Sequence, residues 1–590
     1  MGRILFGLVP DEMKLFCQIF VDEFCNGFDR YISIDLVKIP QSRSLEVRFD
    51  GDRYVITYNE ALQVARGIGA ILAGLVKEGQ IYQEKNVFKK LGVMLDCSRN
   101  AVMKVESVKR WLRQLSLMGY NLLMLYTEDT YELSGEPYFG YLRGRYLAAE
   151  LKEIDAYAAS LNIEVVGCIQ TLGHLTHLLK WDAYKNVKDT AAVLLVDHPE
   201  TYALIEKMVK QMSDCIISRR IHIGMDETFD LGLGEFLHRH GYKKQKEIYN
   251  RHLNKVVAIC KKYSLKPMIW SDMYFRTSME PYENYDPHAE IPEHVAQSIP
   301  DDVEFVFWDY YKEDKQYYVE LIKRHRELGK GPLVASGIWT WARFWYDKNI
   351  TMSTAGPCID ACLETNVQEL LLTMWGDGGA YCEFDSAMAG LAWVAEKALA
   401  GDSFNEESLE QKFQMITSRV YKDVITACDL NNICDLAAYM WDDPILGCQW
   451  KQARENDSQY WLKAIARCNE LLVRLKPLAV DTGVIDFNHA YNLAVFLKSR
   501  IEVGLKLDDI VDSCDSTKVT KAIGLCRTTI GKLDLVLESF RRQWYRRNKV
   551  YGFEDIQNRF GGLKQRLMEL ESRLGQLQDG EKVNIPEWRE

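Results

Sequence analysis

No stretch of this chain stays apolar long enough to span a bilayer, so no transmembrane helix and no membrane partner are expected. Cys-x-x-Cys pairs are also missing. The 15 cysteines are odd in number and scattered, which argues against a disulfide framework or a zinc site and for reduced thiols. The opening residues, Met1-Gly2-Arg3-Ile4-Leu5-Phe6, lack signal-peptide anatomy, because polar and acidic residues set in from Asp11. Phe6 stands where a myristoylation signal needs Ser or Thr. The expectation is a cytoplasmic protein, in which the sequon Asn349-Ile350-Thr351 would stay idle.

A surplus of positive charge is absent as well. Lys and Arg number 73 against 84 Asp and Glu, a net charge of −11, which argues against a nucleic-acid partner. One basic run, Arg541-Arg542-Gln543-Trp544-Tyr545-Arg546-Arg547, falls in a helical stretch and reads as a solvated face. Low-complexity linkers and internal repeats are missing too. Nothing here opposes a homo-oligomer.

What is present is an ordinary globular composition, 47% hydrophobic and 27% charged. At 590 residues the chain is too long for one core and calls for roughly two to four domains. Residues 1–85 mix strand-like segments, Ser44 to Phe49 and Tyr54 to Tyr58, with a helix from Glu60 to Val76, an α+β domain. Residues 86–401 alternate strand and helix. The apolar runs Leu91–Leu95, Asn121–Tyr126, Ile163–Ile169, Ile221–Gly224, Pro267–Trp270, Val303–Trp308, Leu333–Ser336 and Leu370–Trp375 are mostly followed by helical periodicity. Eight such units are what an α/β fold of the (β/α)8 TIM-barrel type requires. Residues 402–590 lose the strand signal and read as a helical domain, with long stretches such as Ser458–Leu475, Asp486–Asp508, Lys518–Trp544 and Glu554–Leu577.

Barrels of this class build their sites at the carboxyl ends of the strands. The residues there form a ring: Asp96 and Arg99; Glu128 and Asp129; His174; Asp226 and Glu227; Trp270 and Asp272; Trp308, Asp309 and Tyr310; Trp339 and Trp341; Trp375 and Asp377. Five of the chain's 14 tryptophans fall on this rim. Aromatic walls with carboxylates between them suit a sugar, whose C–H faces lie on rings while its hydroxyls bond to acids.

The most informative segment is His222-Ile223-Gly224-Met225-Asp226-Glu227. An acid pair just past a strand end escapes strand alternation and can turn both carboxylates into one pocket. Packed together they cannot both ionise freely, so one is pushed up towards neutral pH and becomes a proton donor. A metal site is the rival reading. It has little to stand on: one His at a strand end, His174, with His177 a helical step away, no His-x-His on the first strand, and no phosphate-cradling glycine loop. No cofactor and no metal are therefore expected.

The segment resembles the signature of glycoside hydrolase family 20, the β-N-acetylhexosaminidases. Leu91-Gly92-Val93-Met94-Leu95-Asp96-Cys97-Ser98-Arg99 resembles that family's first barrel strand, Tyr126-Thr127-Glu128-Asp129 the acidic pair after its second, and Gly173-His174 the Gly-His after its third. Trp375-Gly376-Asp377 is similar to its last-strand Trp-x-Glu, with Asp in place of Glu. The resemblance implies Glu227 as general acid/base and Asp226 as the group that orients the substrate's 2-acetamido nitrogen. It further implies Arg99 on ring hydroxyls, Glu128 and His174 as a polar relay, Trp270, Trp308 and Trp375 as sugar walls, and Asp377 on the outer hydroxyls. The family's Tyr after strand seven has no counterpart in Ser336-Gly337-Ile338-Trp339-Thr340-Trp341; Tyr310 is the candidate in its stead. The implied reaction is exo-hydrolysis of terminal β-linked N-acetylglucosamine or N-acetylgalactosamine. Its nucleophile is the substrate's own acetamido oxygen, which gives an oxazolinium ion and retained configuration. Two alternatives stay open: a metal-dependent barrel hydrolase, and a barrel that binds amino sugars without cleaving them.

Overall fold

The computed structural model describes residues 4–24, 31–40, 44–85, 87–276, 284–400, 404–481, 484–513, 515–579 and 585–589. The opening tripeptide and the expected boundary at 401/402 lie outside them. The amino-terminal part is a five-stranded sheet of β1 (Ile4–Phe6), β2 (Ile32–Lys38), β3 (Ser44–Asp50), β4 (Arg53–Tyr58) and β5 (Ile81–Lys85), in the order β1-β2-β4-β3-β5. The helix Ala61–Leu72 packs on it. Sequence reading found β3, β4 and that helix but not β1, β2 or β5, whose mixed polarity belongs to short or one-sided strands.

Eight parallel strands then close into a barrel: β6 (Lys90–Asp96), β7 (Leu122–Tyr126), β8 (Glu164–Cys168), β9 (Arg220–His222), β10 (Lys266–Trp270), β11 (Glu304–Trp308), β12 (Leu333–Gly337) and β13 (Glu369–Met374). Closure is made between β13 and β6, in register from Glu369 on Lys90 to Met374 on Leu95. These strands read as continuous apolar runs because both faces are buried; every residue of β7 and β12 is buried. The outer helices keep one apolar stripe. In Val105–Met118 the buried residues Val108, Trp111, Leu112, Leu115 and Met118 follow helical spacing.

The carboxyl-terminal region stacks long helices, among them Ile485–Ser513, Ser516–Arg547 and Phe553–Gln578. The last buries Phe553, Ile556, Phe560, Leu563, Leu567, Leu570 and Leu574, alternate steps of three and four that form a coiled-coil-like seam. The basic run is not a solvated face throughout. Arg541 and Arg542 are exposed, but Arg546 bonds Asp486 at 2.6 Å and the buried Arg547 pairs with Glu383. Asp486, on the helix Ile485–Ser513, and Glu383, in the barrel region, turn these two arginines inward.

Candidate active site

β9 is only three residues long, and the chain leaves it through a run of left-handed backbone: Gly224 at φ 69°, Met225 at 76° and Glu227 at 48°. This bend frees Asp226 and Glu227 from strand alternation and turns both towards the barrel mouth. Glycine is required at 224, because a Cβ there would lie 2.0 Å from Oε1 of Gln170. The Gln170 side chain braces the bend. Its Oε1 accepts the N–H of Met225 at 3.2 Å, and its Nε2 donates to Asp226 and to the Tyr126 hydroxyl, each at 2.9 Å.

A cavity of about 120 Å³ opens over the acid pair, lined by Arg99, His174, Asp226, Glu227, Trp270, Trp308, Tyr310, Tyr311, Trp341, Trp375 and Asp377. His174 sets Nε2 3.1 Å from Asp226 and 3.6 Å from Glu227. Arg99 Nε stands 3.7 Å from Glu128 and 3.6 Å from Asp377, with its guanidinium over the rings of Tyr126 (4.7 Å) and Trp375 (5.1 Å). The indole N–H of Trp270 is buried and has no partner among the described residues.

Charge is divided sharply between the two acids. Burial works to raise Asp226, but the cation of His174 and the amide of Gln170 outweigh it and hold the carboxyl down at about 2. Burial pulls His174 down, yet the Asp226 carboxylate lifts it to about 9. Glu227 is raised, first by burial and then by the negative charge of Asp226. The outcome is an ionised Asp226, a cationic His174 and a Glu227 biased to keep its proton. Glu128 is pushed up to about 7 by burial, opposed by Arg99 and His174.

Most of the expected site residues meet at this cavity. Trp339 does not line it. It stacks behind Trp341 at 4.0 Å, and Trp341 forms the wall instead, with Gly337 leaving room for that ring: a Cβ there would lie 2.7 Å from Trp341. Glu128 also stands back from the cavity, between Arg99 and Arg143. Tyr310 stacks on Trp308 at 5.1 Å and directs its hydroxyl to Thr373 and Trp375. Tyr311 is a wall the sequence reading missed, although it directly follows Trp308-Asp309-Tyr310. Asp309 looks inward, accepting the N–H groups of Tyr311 and Lys312 at 2.9 Å, and shapes that loop.

His174, Asp226 and Glu227 bring one ligand atom each within 4.8 Å of one another, the spacing a metal ion would need. A ligating imidazole must be neutral, so an ion here would have to displace the proton that Asp226 favours on His174.

Fold and site together define a (β/α)8 barrel with an acid pair in an aromatic pocket at the carboxyl ends of its strands. Residues 88–316 match the catalytic domain of glycosyl hydrolase family 20, and residues 432–590 the Glycoside Hydrolase 20C C-terminal domain. The chain belongs to glycoside hydrolase family 20. Hexosaminidase D of Homo sapiens is 26% identical over 284 residues, 46% of this chain, and that of Bos taurus 28% identical over 243 residues, 38% of this chain. The matches span 54% and 62% of those relatives' own lengths. The GH20 β-N-acetylhexosaminidase of Streptomyces coelicolor superposes with a TM-score of 0.52 at 17% identity, over 71% of this chain and 92% of that one. The chitobiase of Flavobacterium johnsoniae gives 0.54 at 15% identity, over 92% and 96%. At such identities the likeness concerns the fold.

Proposed function

We propose that this protein is an exo-acting, retaining β-N-acetylhexosaminidase that removes terminal N-acetylglucosamine or N-acetylgalactosamine by substrate-assisted catalysis. The division of charge between the two neighbouring acids carries the reading. Glu227, biased to stay protonated, donates to the leaving oxygen. Asp226, held ionised by His174, steadies the acetamide as positive charge develops on it. The acetamido oxygen closes on the anomeric carbon, the bond to the leaving oxygen breaks as that oxygen takes the proton of Glu227, and an oxazolinium ion forms. Water, deprotonated by Glu227, then opens the ion with overall retention. Trp270, Trp308 and Trp375 hold the sugar ring and Tyr310 the acetamide end. Arg99 and Asp377 meet the outer hydroxyls. Hexosaminidase D, the name of both relatives reported above, supports the same substrate class. Among the described residues the cysteines are all unpaired thiols, which supports a reducing compartment such as the cytoplasm.

Release of p-nitrophenol from its N-acetyl-β-glucosaminide and N-acetyl-β-galactosaminide tests the reading. Turnover unaffected by a chelator is expected. Loss of activity on chelation would favour the metal-dependent alternative, which draws on the His174, Asp226 and Glu227 cluster. Sugar binding without turnover would leave a binding barrel.

A further inference from the structure

Asp377 sits in a glycine-rich loop whose own turn is closed by Ala380 N–H on Gly376 O at 2.7 Å and whose Asp377 O accepts the N–H of Ala342 at 3.1 Å. Gly376, Gly378 and Gly379 surround it, the last two at φ 89° and 130°, so few side chains are available to pin the backbone. Support reaches the two carbonyls just beyond Asp377 from elsewhere. Arg559, on the helix Phe553–Gln578, donates Nη1 to Gly378 O at 3.2 Å and to the Tyr381 hydroxyl, and its guanidinium lies over the Tyr381 ring at 5.5 Å. Asn100 donates Nδ2 to Gly379 O at 3.3 Å and, in the other direction, to Gly552 O at 2.7 Å in the turn that opens the same helix.

That turn also grips the loop that carries Arg99. Lys549 N–H bonds Val102 O at 2.8 Å, Lys104 N–H bonds Arg547 O at 2.9 Å, and Met103 pairs with Asn548 as a short antiparallel bridge. Gly552, at φ 91°, allows the approach, since a Cβ there would lie 2.3 Å from Asn100 O. The carboxyl-terminal helices thus touch both loops whose side chains, Arg99 and Asp377, face each other at 3.6 Å across one end of the cavity.

We propose that Arg559 and Asn100 are positioning residues through which the helical carboxyl-terminal region sets the Arg99–Asp377 distance, and with it the recognition of the sugar's outer hydroxyls. The inference rests on the reading of Asp377 given above. Neither residue touches Asp226, Glu227 or the tryptophan walls in the contacts described, so their effect on the site passes through Arg99 and Asp377 and is expected first in binding and selectivity.

Arg559→Ala is the first test, because this side chain is exposed and its loss opens no cavity. Asn100→Gly is the second; glycine keeps the φ of 83° at no strain while removing the amide. Each variant should raise KM about fivefold, the worth of one hydrogen bond, with kcat nearly unchanged. The ratio of kcat/KM between the N-acetylglucosaminide and the N-acetylgalactosaminide should move towards one, and Arg559→Lys should recover part of both effects. The hydrolase reading stands or falls separately, on turnover by the unaltered chain. Titrating tryptophan fluorescence with N-acetylglucosamine makes the same comparison between variant and unaltered chain without any need for turnover. A lower melting temperature with unmoved KM, selectivity and sugar affinity would overturn the proposal, and so would a fall in kcat alone.

Discussion

The buried carboxylate of Asp272 accepts the backbone N–H of Glu227 at 3.0 Å. Glu227 needs such an anchor, since its φ of 48° is a conformation that costs a residue with a side chain of order 1–3 kcal/mol unless its surroundings impose it. Burial, reinforced by the charge of Asp226, pushes Asp272 up to about 8, so its own charge is held poorly and its acceptor oxygen is what the site uses. Asp272→Ala should therefore lower kcat by about 10²-fold at nearly constant KM, the scale expected when a catalytic group shifts by an ångström. Asp272→Asn keeps an acceptor and should retain most of the rate. Equal losses in the two, with circular dichroism unchanged, would assign the role to the charge instead.

Replacing Glu227 by Gln should reduce the rate on substrates with poor leaving groups by about 10²–10⁴-fold. Aryl substrates with acidic phenols need less protonation and should suffer less. Steady-state rates on a disaccharide and on the nitrophenyl glycoside decide it. Equal losses on both would remove Glu227 from the role of acid.

His174 couples to both acids, and the sign of its effect can be worked out. Its imidazolium holds Asp226 down and pulls against the rise of Glu227. His174→Gln removes that cation, so both carboxyls should titrate at higher pH. Asp226 then takes a proton sooner as pH falls, which moves the acidic limb of the pH–rate profile upward. Glu227 keeps its proton longer as pH rises, which moves the basic limb upward too. Stability follows the same linkage. The raised His174 contributes fully below its ordinary 6.5 and fades as pH climbs through about 9. The depressed Asp226 contributes above its ordinary 3.8 and fades as pH falls through about 2. The melting-temperature gap between the two proteins should be widest from pH 3.8 to 6.5 and close above 9. A uniform gap with an unmoved rate profile would make His174 a packing residue.

The eight barrel strands were legible because burial on both faces writes each as an apolar run, and their ends follow from where polarity resumes. Asp226 and Glu227 were legible as an adjacent acid pair beyond a strand. The braces behind them were not. Gln170 acts across 55 residues on Met225, and Asp272 across 45 on Glu227, and neither separation leaves a local pattern. Trp339 and Trp341 lie two apart beyond β12, and sequence alone could not tell which ring faces the cavity. Arg546 and Arg547 looked like a solvated basic face because their partners, Asp486 and Glu383, are remote in the chain.

Substrate assistance makes the strictest demand on this arrangement. Asp226 is the sequence neighbour of the proposed acid, Glu227, and its charge is fixed by His174 at 3.1 Å, so under the proposed mechanism it is suited to steadying a cation and not to attacking carbon. Catalysis should then require the acetamido group. An aryl β-N-acetylglucosaminide should be cleaved, while the matching β-glucoside, with a hydroxyl at carbon two, should be nearly inert. A thiazoline that mimics the cyclised intermediate should inhibit far more tightly than N-acetylglucosamine, because binding is strongest for what resembles the transition state. Asp226→Asn should weaken hydrolysis by about 10²–10³-fold and thiazoline affinity along with it, since the charge that offsets the developing cation is lost. Mass spectrometry of the protein during turnover should find no sugar attached. Efficient cleavage of the plain glucoside, or a trapped glycosyl–protein adduct, would mean that a protein carboxylate attacks the anomeric carbon. Asp226 would then be left with an orienting role alone.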